Sequence, residues 1–266
     1  MSKENILRHQ VHDIHMKYVI IRLDYSGVQD SGELIKAFER RFLSDYRTRK
    51  AGEMKKVSVT YNEEDLQNIS KAVKASVKEI ETESIMRYEG LKNVKGVVTL
   101  DISKFYLCMT IGYDENYEGL SRYLDSFKGA ITIFKDKFGY FAPKRLGIRK
   151  CRVQQFNNIQ DLERIFEPFA YNDCNLPIGQ LGDGPRIYRA SLQEDNNVAI
   201  KVNIMRKIQP MLPDRKNLLT VLDIDAYVDD QVLLATHNIN KIIDNVNNFE
   251  FKVYKMFMRE EALLAR

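Results

Sequence analysis

The strands written into this sequence are two-faced, and that limits the fold more than any other feature. In residues 18–25, Tyr-Val-Ile-Ile-Arg-Leu-Asp-Tyr, Val19, Ile21, Leu23 and Tyr25 share one side at period two, while Arg22 and Asp24 take the other. The pattern returns at Arg145-Leu-Gly-Ile-Arg149, where Leu146 and Ile148 oppose the two arginines. It returns again at Leu222–Val228, where Leu222, Ile224, Ala226 and Val228 oppose Asp223 and Asp225. Segments 95–102 and 105–111 read as a hairpin, as do 186–193 and 197–208 around Asp195-Asn196-Asn197, a turn sequence. Strands grouped into hairpins ahead of helices predict an α+β fold, with mostly antiparallel sheets each covered by long amphipathic helices.

The helices announce themselves by stripes. Leu34, Phe38 and Phe42 follow Asp30, a cap with Glu33 three residues on. Leu66, Ile69, Val73, Val77 and Ile80 predict a helix over 63–81, and Tyr117 to Phe138 predict a long one over 116–138. The last helix is expected to run unbroken from about Gln231, carrying Ile239, Ile242, Val246, Phe249, Val253 and Phe257. Pro168, Pro177 and Pro185 with Gly179, Gly182 and Gly184 mark the best linker. That divides the chain into an α+β half at 1–167 and a strand-plus-helix half at 168–266. Val-Val-Thr-Leu-Asp-Ile-Ser at 97–103 and Leu-Thr-Val-Leu-Asp-Ile-Asp at 219–225 each precede a Phe-rich helix, which points to two similar halves.

Bulk properties exclude little. The 266 residues are enough for a real core, and 44% hydrophobic with 29% charged is ordinary for a globule. A net charge of +4 is too small to argue for nucleic acid alone. Cys108, Cys151 and Cys174 are odd in number and far apart, so a reducing, cytoplasmic setting is expected. The N-terminal residues carry no apolar signal segment, and no run is long enough to span a bilayer, so no membrane association is expected.

Few groupings carry chemistry. His9, His12 and His15 lie at steps of three near the start, a spacing that does not gather them on one helix face. Asp223-Ile-Asp225 is the shape of a divalent-ion grip and also of any half-exposed strand. Gly179-Gln-Leu-Gly182-Asp-Gly184 has the composition of a phosphate loop but leads into Pro185 and a strand, not a helix. Hence no catalytic residue, metal or cofactor is nominated.

Two candidate sites remain. Lys36, Arg40, Arg41, Arg47, Arg49, Lys50, Lys55 and Lys56 gather a basic region opposed only by Glu39, Asp45 and Glu53, suited to polyanion or nucleic-acid contact. Arg145 and Arg149 flank Gly147, whose missing side chain leaves room for another backbone or a bound acid. The pair is expected to be structural, the arginines meeting Asp101, Asp223 or Asp225 across the sheet.

Taken together, the Arg22-Leu-Asp24 strand, the hairpin before a long helix, Arg145-Leu-Gly-Ile-Arg149, Leu222-Asp-Ile-Asp225 and the closing helix resemble a family. It is the sporadically distributed, uncharacterised bacterial proteins marked by an R-L-G-[LI]-R strand and met among defence-associated genes. The family motif continues with an aromatic and a small polar pair, where this chain has Lys150-Cys151-Arg152. The resemblance implies no catalytic residue. The expected role is a non-enzymatic interaction or regulatory protein of a defence or toxin–antitoxin-like locus, with a protein partner and a capacity to self-associate. The alternatives are a nucleic-acid-binding module using 36–56, and an enzyme or anion binder around Arg145, Arg149, Asp223 and Asp225.

Overall fold

The computed structural model describes residues 3–7, 11, 15–28, 30–60, 76–94, 96–113, 120–171, 186–194, 198–211 and 217–264, with the backbone alone at 54–60, 76–83, 122, 186–194, 198 and 210. The strands are β1 (Met16–Ser26), β2 (Tyr46–Thr60), β3 (Ser76–Leu91), β4 (Val97–Ile102), β5 (Tyr106–Gly112), β6 (Ala142–Phe156), β7 (Arg186–Glu194), β8 (Val198–Pro210) and β9 (Leu218–Val228). They form one sheet in the order β2-β3-β4-β5-β1-β6-β9-β8-β7, and every neighbouring pair is antiparallel. The described strands therefore form a single continuous sheet where the sequence pattern predicts several. The helices are α1 (Ser31–Phe42), α2 (Leu124–Lys137), α3 (Ile159–Ile165), α4 (Pro168–Tyr171), α5 (Gln231–Thr236), α6 (Ile239–Phe257) and α7 (Glu260–Leu264).

Alternation decides which face of the sheet turns inward. Ile21 pairs with both Met109 and Ile148, and Leu23 with both Leu107 and Leu146. Ile148 pairs in turn with Ala226, and Val202 lies beyond it. All of these are buried, so one apolar layer crosses the central strands. Three helices touch that layer. Phe38 of α1 lies 4.9 Å from Tyr88 of β3, Phe134 of α2 lies 5.1 Å from Tyr25 of β1, and Glu250 of α6 reaches Lys150 of β6. Helix α2 approaches α1 through Gly129, where an added Cβ would stand 2.1 Å from the Phe42 ring.

Local chemistry sets the helix starts. Asp30 accepts from the Gly32 N–H, Asn158 from Asp161 and Asn238 from Asn240, each satisfying an amide that the first turn leaves unpaired. The Asn238 cap also explains a departure from expectation. The single helix predicted from Gln231 is broken, because α5 stops at Thr236 and α6 restarts on its own cap.

The predicted helix at 63–81 fails where it can be compared. Ser76 to Glu81 belong to β3, paired with β2. The threes-and-fours spacing there competed with a β-rich composition, and cross-strand pairing won. Residues 61–75 lie outside those described, as does 172–185, which holds the Gly179–Gly184 loop and Cys174. The helix expected over 116–138 begins only at Leu124, after a 3₁₀ turn at Ser121–Tyr123. No helix among the described residues is long and apolar enough to cross a membrane.

Candidate functional site

The second face of the central strands carries a ladder of charges. Register puts Arg22 and Asp24 of β1, Asp101 of β4, Arg87 of β3, Arg145 and Arg149 of β6, and Asp223 and Asp225 of β9 on this side. Arg149 donates to Asp223 through Nε at 2.9 Å and Nη2 at 2.5 Å, and Arg145 Nη2 donates to Asp225 at 2.8 Å. Arg87 grips Asp101 with both Nε and Nη2, and Arg22 Nε donates to Asp24 at 2.7 Å. The sheet thus brings together all four residues of the Arg145/Arg149/Asp223/Asp225 group, arginine to carboxylate.

Gly147 has a different task from the one its sequence suggests. A Cβ there would stand 3.1–3.2 Å from Nη1, Cζ and Nη2 of Arg145. The Arg145 guanidinium therefore lies down over Gly147, filling the room expected for a backbone or a bound acid. Its other side rests on Tyr227, the strand partner of Gly147, with Cζ 4.4 Å from the ring centroid. Arg22 stacks on Tyr106 at the same distance, 4.4 Å. The R-x-G spacing lets an arginine reach along its own strand and stack on the next one.

This face is only partly wet. Burial, aided by a hydrogen bond to Cys151, pushes the Tyr18 phenol up to about 12. Burial alone dominates at Cys108, whose thiol rises to about 11. Burial also raises the Asp225 carboxyl above its ordinary value, and Arg145 pulls it back only in part. Arg149, by contrast, is held protonated chiefly by its hydrogen bonds to Asp223.

The basic region does not stay together. Arg49 turns to the helix side, onto Glu39 at 2.7 Å, while Lys50 pairs with Glu89 at 2.7 Å on the opposite face. Arg40 and Arg41 lie exposed on α1, where Arg41 stacks on Phe42 at 5.1 Å. Arg47 is exposed on β2 and lies against Gly90. Lys55 and Lys56 belong to β2, with side chains outside those described. Of the three spaced histidines only His15 is described. No group of three or more His, Cys, Asp or Glu residues fit to hold a metal occurs among the described residues. Asp223 and Asp225, the D-x-D pair, aim at arginines.

A second ionic cluster was missed in the sequence. Lys150 and Arg152 face inward, where α6 supplies Glu250: its Oε2 lies 2.6 Å from Lys150 Nζ and its Oε1 2.8 Å from Arg152 Nη2. All three are at least 95% buried, and Arg152 also stacks on Tyr254 at 4.0 Å. The signal was present. Alternation from Leu146 and Ile148 places positions 150 and 152 on the apolar side, and Glu250 sits within the apolar stripe of α6.

No family model, no curated protein and no solved structure matches this chain.

Proposed function

We propose that the protein is a non-enzymatic interaction module whose working surface is the charged face of the sheet. The observation that carries this reading is that the face is rich in arginine and tyrosine yet balanced in charge. Arg22, Arg87, Arg145 and Arg149 stand against Asp24, Asp101, Asp223 and Asp225, each arginine bonded to an aspartate. Tyrosine and arginine are the residues that protein interfaces favour, and held flat in fixed positions they lose little freedom on docking. A neutral ladder does not supply the positive field that a polyanion needs. The resemblance to defence-associated proteins directs the search for a partner to products of such loci.

We further read the chain as two similar halves. Both run from a strand and a helix through an antiparallel meander to a long helix: β1, α1, β2 to β5 and α2, then β6, α3, α4, β7 to β9, α5 and α6, the first meander having four strands and the second three. In each, the last meander strand lies beside the first strand. Asp30 and Asn158 cap the first helix eight and nine residues after Arg22 and Arg149. A local dyad through the Ile21–Ile148 pair would exchange Arg22 with Arg149, and the register opposite Asp101 and Asn203 holds Arg87 and Arg189. The echo between 97–103 and 219–225 does not match this correspondence, because β4 is the next-to-last strand of its meander and β9 the last of its own.

The test compares two variants in the full-length protein, purified from its native host. Arg22→Glu with Tyr227→Ala is expected to lose a stoichiometric protein partner that the wild type retains, while Arg40→Ala with Arg41→Ala and Arg47→Ala keeps it. The reading is overturned by tight DNA or RNA binding that weakens steeply with salt and disappears in the Arg40/Arg41/Arg47 variant.

A further inference from the structure

A small cavity lies at the inner end of β6 and β9, beside the buried Lys150–Glu250–Arg152 cluster. Arg152, Gln154, Thr220 and Leu222 form its floor, Tyr254 and Met258 its roof, with Phe166 and His15 at the rim. Its polar groups are incompletely used. Arg152 is 5% exposed and its Nη2 lies 2.8 Å from Glu250 Oε1 in an ion pair, but Nε and Nη1 find no hydrogen-bond partner. Thr220, 2% exposed, leaves its Oγ1 equally without one. Buried donors in folded proteins are almost always satisfied, so three such atoms lining one cavity call for an occupant.

The chemistry of the occupant follows from the donors. A guanidinium offers N–H groups and accepts nothing, and a threonine hydroxyl can turn to donate as well. What meets them must accept hydrogen bonds without having to give any. It is also favoured to be negative, because Arg152 and Lys150 share the carboxylate of Glu250. The space, about 10 Å³, is of the order that seats one small particle. We infer that this cavity is a halide site, holding one chloride between the Arg152 Nε and Nη1 and the Thr220 hydroxyl. The anion completes the charge of a cluster that ties β6 to α6, so its binding is linked to folding. This site lies on the opposite side of the sheet from the proposed docking face and stands independently of it.

The experiment is thermal unfolding of the full chain at fixed ionic strength, with sodium chloride or bromide replacing sodium gluconate. A ligand that binds only the folded state raises the midpoint by mass action, so the midpoint should climb with halide concentration. Thr220→Val keeps shape and removes one donor. It should weaken the apparent halide affinity about tenfold, the effect of losing one hydrogen bond to a charged group, and Thr220→Ser should restore it. Arg152→Ala also strands Glu250 and can fail to fold, so the threonine pair carries the test. Crystals grown with bromide should show its anomalous signal in the cavity. The inference is overturned by a wild-type midpoint indifferent to halide, by a Thr220→Val response equal to wild type, or by ordered water in the cavity. A bromide peak without any thermal response means an adventitious ion only and overturns it too.

Discussion

Strand β6 carries two sets of ion pairs, one on each side, and they differ in what surrounds them. On the outer side Arg149 is 45% exposed and Arg145 29%, and each meets its own aspartate. On the inner side Lys150 and Arg152 are 1% and 5% exposed, and both converge on Glu250 at 0%. Water can reach the outer arginines if they lose their partners, although Asp223 itself is 3% exposed, and it has little access to any of the inner three. The same chemical bond is therefore a modest contribution outside and a structural commitment inside, where desolvated charges tolerate no missing partner.

The largest effect should come from cutting the inner cluster. Glu250→Gln leaves two buried cations without their carboxylate and should lower stability by about 3–5 kcal/mol in urea unfolding. Replacing all three together, Lys150→Met, Arg152→Leu and Glu250→Leu, should cost far less, because desolvation of the charges is removed with them. If the triple variant is no better than Glu250→Gln alone, the contrast between the two sides is not one of buried charge.

A pair of glycines sharpens the same contrast. Gly129→Ala drives a methyl into the Phe42 ring between two packed helices, and overpacking of this kind should cost about 1–3 kcal/mol. Gly147→Ala meets only the guanidinium of Arg145, which can lift away toward water. It should cost less than Gly129→Ala under the same denaturant. Equal losses would mean that the outer ladder is as tightly packed as the core.

Breaking an outer pair comes next. Asp223→Asn should lower stability by about 1 kcal/mol, the upper range for pairs in which one partner is half-exposed, and a double cycle with Arg149→Gln isolates that coupling. The smallest effect is the pH response of Asp225. Burial raises its carboxyl in the folded state above its ordinary value. The folded protein then binds the proton more tightly than the unfolded chain does. The resulting stability is fully present below the ordinary aspartate range and is lost as pH rises through the raised value. Wild type minus Asp225→Asn, followed from acid toward neutral pH, should shrink. A difference that grows instead would make Arg145–Asp225 a net stabilising ion pair, erasing the distinction drawn for this strand.

Much of this architecture could be read from alternation, because side-chain period two is a strong signal where one face is apolar. The strands at 18–25, 144–153 and 217–228 and the cap at Asp30 are of this kind. What escaped was non-local. Nothing in the sequence says that β1 and β6 pair, so one continuous sheet could not be distinguished from two. The 63–81 stripe fits a helix locally, and only pairing with β2 makes part of it a strand. The basic region reads as one patch along the chain, yet alternation along β2 and β3 sends Arg49 and Lys50 to opposite sides. Lys150 and Arg152 were legible in principle, but a pair of cations on an apolar face is believable only once a carboxylate such as Glu250 is known to sit above it.

The seam between β1 and β6 also governs the order in which this chain can assemble. Strands β3, β4 and β5 neighbour one another through short connections, and β1 can join β5 before β6 has been made. The other edge of β1 must then wait for β6, with Val19, Ile21 and Leu23 along it. Until Ile148 arrives, the nascent chain presents a free edge beside an apolar surface, the arrangement from which intermolecular strand pairing starts. Slow translation between α2 and β6 would lengthen that wait, and a chaperone that shields β1 in the interval would raise the yield of folded protein.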